Sequence, residues 1–181
     1  MRNYLLLPLL LFAAMAYKPP TAKLLPSAEE LVTQAIRKGK KEKKNVFILF
    51  HSSWCGPCKL MQKTMNDPSI KNYFTSSYVL LDMTVYEFDE SKNNPGASQL
   101  LEKHNNGNSS IPFWMIMDST GQSLGDAKMK PAGKPNAVPE NMGCPSTKDE
   151  VAYFKNLLQR TSSLKPAALD AIEKRFRQND R

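Results

Sequence analysis

Cys55 and Cys58 stand three positions apart, and four residues separate the first of them from the continuous apolar run 46–50. An apolar run of this length is typical of a strand that is buried on both faces, as in a parallel or mixed sheet. Residues 59–65 follow the cysteines and have the pattern of a helix. The sequence therefore predicts that both cysteines lie at a junction between a central strand and a helix.

The chain contains three cysteines in 181 residues, too few for a small domain held together by disulfides. The close spacing of Cys55 and Cys58 indicates redox chemistry or metal binding. A zinc site would need Cys144 and His104 as further ligands, and these stand alone and far apart, so we expect no metal. Cys144 is either a passive, partly buried thiol or the partner of Cys55 in a regulatory or substrate-mimicking disulfide.

A cysteine at the start of a helix is suited to disulfide exchange because the attacking species is the thiolate. The unpaired backbone amides of the first turn and the helix dipole lower the pKa of the Cys55 thiol. Cys55 is therefore the predicted nucleophile, and Cys58 the thiol that resolves the mixed disulfide. Gly56 lets a partner chain approach closely, and Pro57 suits the first turn of a helix. Trp54 is expected to shield the sulfur and to give clients a flat apolar surface.

Residues 54–58, Trp-Cys-Gly-Pro-Cys, reproduce the active-site motif of the thioredoxin family residue for residue, and the chain resembles that family over about 27–158. Ile111 and Pro112 resemble the second landmark of the family, a cis proline that faces the cysteine pair. The resemblance implies that the backbone of Ile111 pairs, strand-fashion, with a bound substrate segment. It also implies the thioredoxin fold, a central mixed β-sheet with helices on both faces.

One position departs from the family pattern. Typical thioredoxins carry a buried Asp six residues before the first cysteine, where it assists proton transfer with the resolving thiol, and this chain has Leu49 there. Asp82, Glu87 or His51 are the candidates to replace it through a water molecule.

The first sixteen residues have the composition of a cleaved signal peptide. Arg2 precedes the apolar run 4–13, and residues 14–16, Ala-Met-Ala, give the small-x-small pattern of a cleavage site. The alternative, an uncleaved membrane anchor, is disfavoured because Pro8 and Lys18 keep the run shorter than a membrane span. We therefore expect export, to the periplasm of a bacterium, with residues 17–26 as an extended lead-in and no stable membrane embedding.

The rest of the chain, 27–181, is predicted to form a single α/β domain. Residues 128–145 are expected to form an irregular surface loop, and 166–178 a further C-terminal helix beyond the family pattern. The other predicted elements are helices at 27–39, 59–65, 67–74, 97–104 and from 147, and strands at 46–50, 78–83, 111–117 and 122–124.

The net charge of +8 does not indicate nucleic-acid binding. The basic run 37–44 lies where the first helix is predicted to end, which is favourable for cations, and no aromatic residues interleave with it. We expect cysteine-containing client proteins and a thiol electron donor in the membrane or periplasm as partners, and a monomer.

The predicted function is reduction of protein disulfides by an exported oxidoreductase. The Gly-Pro pair between the cysteines resembles the reducing members of the thioredoxin family. No cofactor is expected beyond the Cys55–Cys58 disulfide itself. Two alternatives remain open from the sequence: a disulfide oxidant or isomerase of the same fold, and a non-catalytic binding or chaperone module.

Overall fold

The computed structural model describes residues 25–131, 133–134 and 136–180. The predicted signal peptide, 1–16, and all but the last two residues of the predicted lead-in, 17–26, lie outside the described residues. The helices are α1 (Ala28–Glu42), α2 (Gly56–Met65), α3 (Lys71–Ser77), α4 (Ala97–His104), α5 (Lys148–Thr161) and α6 (Pro166–Arg177), with a 3-10 turn at Glu90–Lys92. The strands are β1 (Asn45–His51), β2 (Tyr78–Thr84), β3 (Phe113–Met117), β4 (Ser123–Asp126), β5 (Lys128–Met129) and β6 (Glu140–Asn141).

The main sheet has four strands in the order β2-β1-β3-β4. β1 pairs in parallel with β2 and antiparallel with β3, which pairs antiparallel with β4, so the sheet is mixed as predicted. The residues from Val46 to Phe50 in β1 are all buried, as expected of a central strand covered on both faces. Phe47 packs against Phe74 of α3 and Phe154 of α5, whereas its neighbour Val46 faces Gly39 of α1.

Helix α1 starts with a capping box and extends further than predicted. Ser27 Oγ accepts a hydrogen bond from the amide of Glu30, and the Glu30 carboxylate accepts one from the amide of Ser27. The sequence placed the end of this helix at Gly39, but the helix continues to Glu42. Gly39 does not end the helix, but glycine is required there because the chain turns back toward β1 at Lys44. A Cβ at position 39 would lie 2.6 Å from the carbonyl oxygen of Lys44.

An aromatic cluster centred on Phe154 ties the C-terminal helix into the core. The ring centroid of Phe154 lies 5.0 Å from that of Trp114 in β3 and 4.9 Å from that of Phe176 in α6. Phe176 also contacts Phe74, and both side chains are fully buried. Helix α6 is therefore part of the hydrophobic core of the domain, although it lies beyond the family pattern seen in the sequence.

Two regions differ from the predicted pattern. Strand β3 starts at Phe113 rather than at 111, because Ile111 and Pro112 lie outside the sheet ladder and proline has no amide hydrogen to contribute. Residues 128–145 were expected to be irregular, but they contain β5 and β6, which pair antiparallel. Each of these strands is two residues long, too short to show a period-2 pattern in the sequence.

Helix α4 covers Ala97–His104 as predicted, and the remaining predicted boundaries shift by up to four residues. Helix α2 begins at Gly56 rather than at 59, α3 covers Lys71–Ser77 rather than 67–74, and β4 covers Ser123–Asp126 rather than 122–124. Within the ranges that the structure describes, no helix is long and apolar enough to cross a membrane.

Candidate active site

Cys55 and Cys58 form a disulfide at the amino end of α2, where the chain leaves the central strand β1. Cys55 is the N-cap residue of the helix, and the amide of Cys58 donates a hydrogen bond of 3.1 Å to Cys55 Sγ. Pro57 lies in the first turn, where its missing amide hydrogen costs no helical hydrogen bond. The predicted strand-to-helix junction is present, and an amide of the first turn that has no partner within the helix donates to the first sulfur.

The proline landmark lies beside the cysteine pair. The Ile111–Pro112 peptide bond is cis. The carbonyl oxygen of Ile111 lies 3.7 Å from Cys55 Sγ, close enough for a weak hydrogen bond once the sulfur is a thiol. The structure thus brings Ile111 and Pro112 to the cysteines from a position more than fifty residues later in the chain.

Trp54 stands next to the disulfide with about half of its surface exposed. Its indole Nε1 donates a hydrogen bond of 2.6 Å to the carbonyl oxygen of Tyr86. The centroid of the Phe88 ring lies 6.0 Å from that of the Trp54 ring, and Phe88 is 90% exposed. Phe88 was not among the predicted site residues; its only signal in the sequence is a single large aromatic residue within a polar segment.

The Glu87 carboxylate fixes the loop after β2 to the turn that carries Trp54. It accepts hydrogen bonds from the amide and the hydroxyl of Ser53, at 2.5 and 2.6 Å. The hydrogen bond from the Ser53 side chain is the main reason why the pKa of the Glu87 carboxyl is lower than usual. Glu87 therefore has a structural partner of its own and is held in the ionised form.

The other two candidates for proton transfer lie on the sheet. Asp82 is exposed on β2, opposite the buried Leu49 in the parallel register of β1 and β2. His51 ends β1. In the described part of the chain, no hydrogen bond connects Asp82, His51 or Glu87 to either sulfur, so the replacement for the missing Asp stays a prediction.

Cys144 is half-buried and lies in the segment between β6 and α5. Its Sγ accepts a weak hydrogen bond of 3.7 Å from the Asn179 side chain. Burial, and then the negative charge of Glu150, raise the pKa of the Cys144 thiol to about 12. In this structure the thiol is free and not bonded to Cys55.

A cleft of about 490 Å³ separates the start of α2 from the segment 141–146. The residues that line it are Gly56, Pro57, Leu60, Ser110, Ile111, Pro112, Asn141, Met142, Gly143, Cys144, Ser146 and Asn179. A larger cavity of about 610 Å³ lies between α1 and α4, but none of the residues predicted for the site lines it. Among the described residues, no group of three or more His, Cys, Asp or Glu side chains is arranged to hold a metal ion.

The fold and the cysteine site define a thioredoxin-like protein. A family model described as thioredoxin-like matches residues 28–119, just over half of the chain. The chain therefore belongs to the thioredoxin-like family. No curated protein sequence matches it.

Solved structures with a similar fold include a disulphide isomerase from Xylella fastidiosa, which is 18% identical, with a TM-score of 0.47. The match covers 61% of this chain and 80% of that chain. The C-terminal domain of DsbD from Neisseria meningitidis in its oxidised form is 19% identical, with a TM-score of 0.44. The match covers 74% of this chain and 98% of that chain. A thioredoxin from Nicotiana alata is 17% identical, with a TM-score of 0.42. The match covers 78% of this chain and 99% of that chain.

Proposed function

We propose that this protein is an exported thiol–disulfide oxidoreductase that reduces disulfides in client proteins. The observation that carries the proposal is the hydrogen bond from the Cys58 amide to Cys55 Sγ at the start of α2. An amide in this position stabilises negative charge on the sulfur and so favours the thiolate of Cys55 when the pair is reduced.

The reaction follows from the order of the two sulfurs along the helix. The Cys55 thiolate attacks one sulfur of a client disulfide, forms a mixed disulfide and releases the other client sulfur as a thiolate, which takes up a proton. Cys58 then loses its proton to solvent and attacks Cys55 Sγ. The client leaves with two thiols, and the protein keeps the Cys55–Cys58 disulfide, so two electrons have passed to the client. A dithiol donor, in the membrane or the periplasm, must then reduce the pair again.

Two neighbouring features support a polypeptide substrate. Ile111 offers its backbone beside the sulfur, where an extended client segment can pair with it. Trp54 and Phe88 form an exposed aromatic surface next to the disulfide, and exposed apolar surface of this kind marks interaction sites. Both features would be without a role if the substrate were only a small thiol.

The test combines a trapping variant with a turnover assay. Cys58→Ser should hold cysteine-containing clients as mixed disulfides on Cys55, and the wild type should reduce insulin with dithiothreitol as donor. Cys144→Ser is the matched control and should neither trap clients nor lose turnover. A binding module is the correct function if neither Cys55 nor Cys58 exchanges with any disulfide.

The direction of electron flow needs a separate measurement. Titration of the pair against glutathione, followed by Trp54 fluorescence, should give a reduction potential below about −260 mV, on the reducing side of the glutathione pool. A potential well above that value would identify an oxidant or isomerase. Export is tested by expressing the full chain in a bacterium: the periplasmic protein should begin at Tyr17, and an intact Met1 in the membrane fraction would indicate an anchor instead.

A further inference from the structure

Asn141 of β6 spans the loop that contains the cis proline. Its side-chain Nδ2 lies 3.0 Å from the carbonyl oxygen of Ser110, 3.1 Å from Ser110 Oγ and 3.0 Å from the carbonyl oxygen of Pro112. Its Oδ1 accepts a hydrogen bond of 2.9 Å from the amide of Gly143. One amide group therefore engages the backbone carbonyls on both sides of Ile111.

This arrangement leaves Ile111 as the residue of the loop with free backbone groups. In the part of the chain that the structure describes, the amide of Ile111 donates no hydrogen bond, and its carbonyl oxygen has only the Cys55 sulfur as a polar neighbour. Pro112 has no amide hydrogen, and the Ser110 amide is bonded to the Asn108 side chain. Of these three residues, only Ile111 therefore offers a client strand both a free amide and a carbonyl oxygen that no nitrogen donor occupies.

Asn141 is held in place by contacts with the core. The β5–β6 ribbon positions its backbone, and the amide of Met142 donates to the carbonyl oxygen of Ala127 at 3.0 Å. The indole Nε1 of Trp114, in the aromatic cluster, donates to the carbonyl oxygen of Gly143 at 2.9 Å. The backbone before and after Asn141 is thus held in place, and a side chain that positions a loop requires such support.

We propose that Asn141 is a positioning residue that sets the register of client binding, an inference that rests on the proposed function. By occupying the carbonyls of Ser110 and Pro112, it confines strand pairing to Ile111. Since side chains alternate along a strand, a shift of one residue would turn the client cysteine away from Cys55. The ligand class is an extended polypeptide segment that carries an oxidised cysteine.

The first experiment compares two substrates. Asn141→Asp keeps the shape of the side chain but places carboxylate oxygens against two carbonyls, and Asn141→Ala removes the hydrogen bonds without adding charge. With a disulfide-linked peptide as substrate, kcat/KM should fall about tenfold through a higher KM. With 5,5′-dithiobis(2-nitrobenzoate), which has no backbone to pair, the rate should stay within about twofold. Asn72→Asp, the same exchange on the exposed face of α3, should change neither.

Equal losses on the two substrates would overturn the inference, because they would indicate damage to the cysteine pair itself. An unchanged KM for the peptide in both Asn141 variants would overturn it as well. The reduction potential should be the same in wild type and variants, since Asn141 touches neither sulfur.

A second measurement does not depend on turnover. A peptide with a chemically activated cysteine can be attached to Cys55 in the Cys58→Ser protein, and amide hydrogen exchange at Ile111 then reports on backbone pairing. The Ile111 amide should be protected at least tenfold in this complex and lose that protection when Asn141→Ala is added. Protection that is independent of Asn141 would contradict the inference. If the wild type fails to reduce either substrate, the proposed function fails, while this exchange result still decides the role of Asn141.

Discussion

The indole of Trp54 is hydrogen-bonded to the carbonyl oxygen of Tyr86, which fixes the loop after β2 against the turn that carries the disulfide. Tyr86 is itself held by a hydrogen bond from its hydroxyl to Glu102 of α4, at 2.8 Å. These hydrogen bonds hold the loop that carries Phe88, whose exposed ring lies beside that of Trp54. A large aromatic side chain presented in this way points to a binding role.

Replacing this ring should weaken client binding. Phe88→Ser should raise KM for a protein disulfide roughly three- to tenfold, because burial of a phenylalanine side chain contributes about 1.5–3 kcal/mol and only part of the ring is buried in a complex. The rate with a small aromatic disulfide should not change. Leu124→Ser, which alters an exposed apolar residue on β4, is the control. An unchanged KM in Phe88→Ser would remove Phe88 from the client surface.

The local patterns of the sequence were enough to predict the centre of the fold. The apolar run of β1, the cysteine spacing and the capping box at Ser27 each depend on residues that are close in sequence, and each is present in the structure. The mixed sheet came from the family resemblance, which the match over 28–119 supports.

The features that sequence analysis missed depend on contacts between distant parts of the chain. Asn141 acts on Ser110 and Pro112, about thirty residues away, and its strand is too short to produce a pattern. Phe88 gains its significance only from its position beside Trp54, more than thirty residues earlier. Periodicity reports the faces of one element and contains no information about which distant element covers it.

The C-terminal helix should be essential for stability. Phe176→Ala removes a fully buried ring that packs on Phe154 and Phe74, and should lower the free energy of unfolding by about 3–5 kcal/mol. Urea unfolding followed by circular dichroism measures this change. Lys174→Ala, at an exposed position of the same helix, should cost less than about 0.5 kcal/mol. A small loss for Phe176→Ala would show that α6 is only loosely attached.

Asp67 should make the fold sensitive to acid. Hydrogen bonds from Ser69, and then the one from Arg175 of α6, lower the pKa of Asp67 from 3.8 to about 2. Because the folded state favours the ionised form, the stabilisation is complete above the unfolded pKa near 3.8 and is lost as the pH falls to about 2.

The difference in urea midpoint between wild type and Asp67→Asn should therefore be largest at pH 5 and should shrink steadily toward pH 2. Ser69→Ala, which removes the hydroxyl donor, should move this loss to a higher pH. A difference that is constant over the whole range would contradict the assigned pKa.

Cys144 should be unreactive in the native protein. With a pKa of about 12, only about one thiol in ten thousand is ionised at pH 8. The oxidised protein should therefore react slowly with 5,5′-dithiobis(2-nitrobenzoate), and should release one equivalent of thionitrobenzoate rapidly in urea. Cys144→Ala should release none. Rapid reaction in the folded state would instead favour a regulatory role for this cysteine.

The rate of alkylation of Cys55 as a function of pH tests the central claim most directly. The fully reduced protein is treated with iodoacetamide between pH 4 and 10, and modification of each cysteine is followed by mass spectrometry. The account predicts that Cys55 reacts first, with an apparent pKa below the value of about 8.5 that is usual for a thiol. An apparent pKa of about 8.5 or higher would mean that the helix amides do not activate the sulfur, and the proposed chemistry would lose its physical basis.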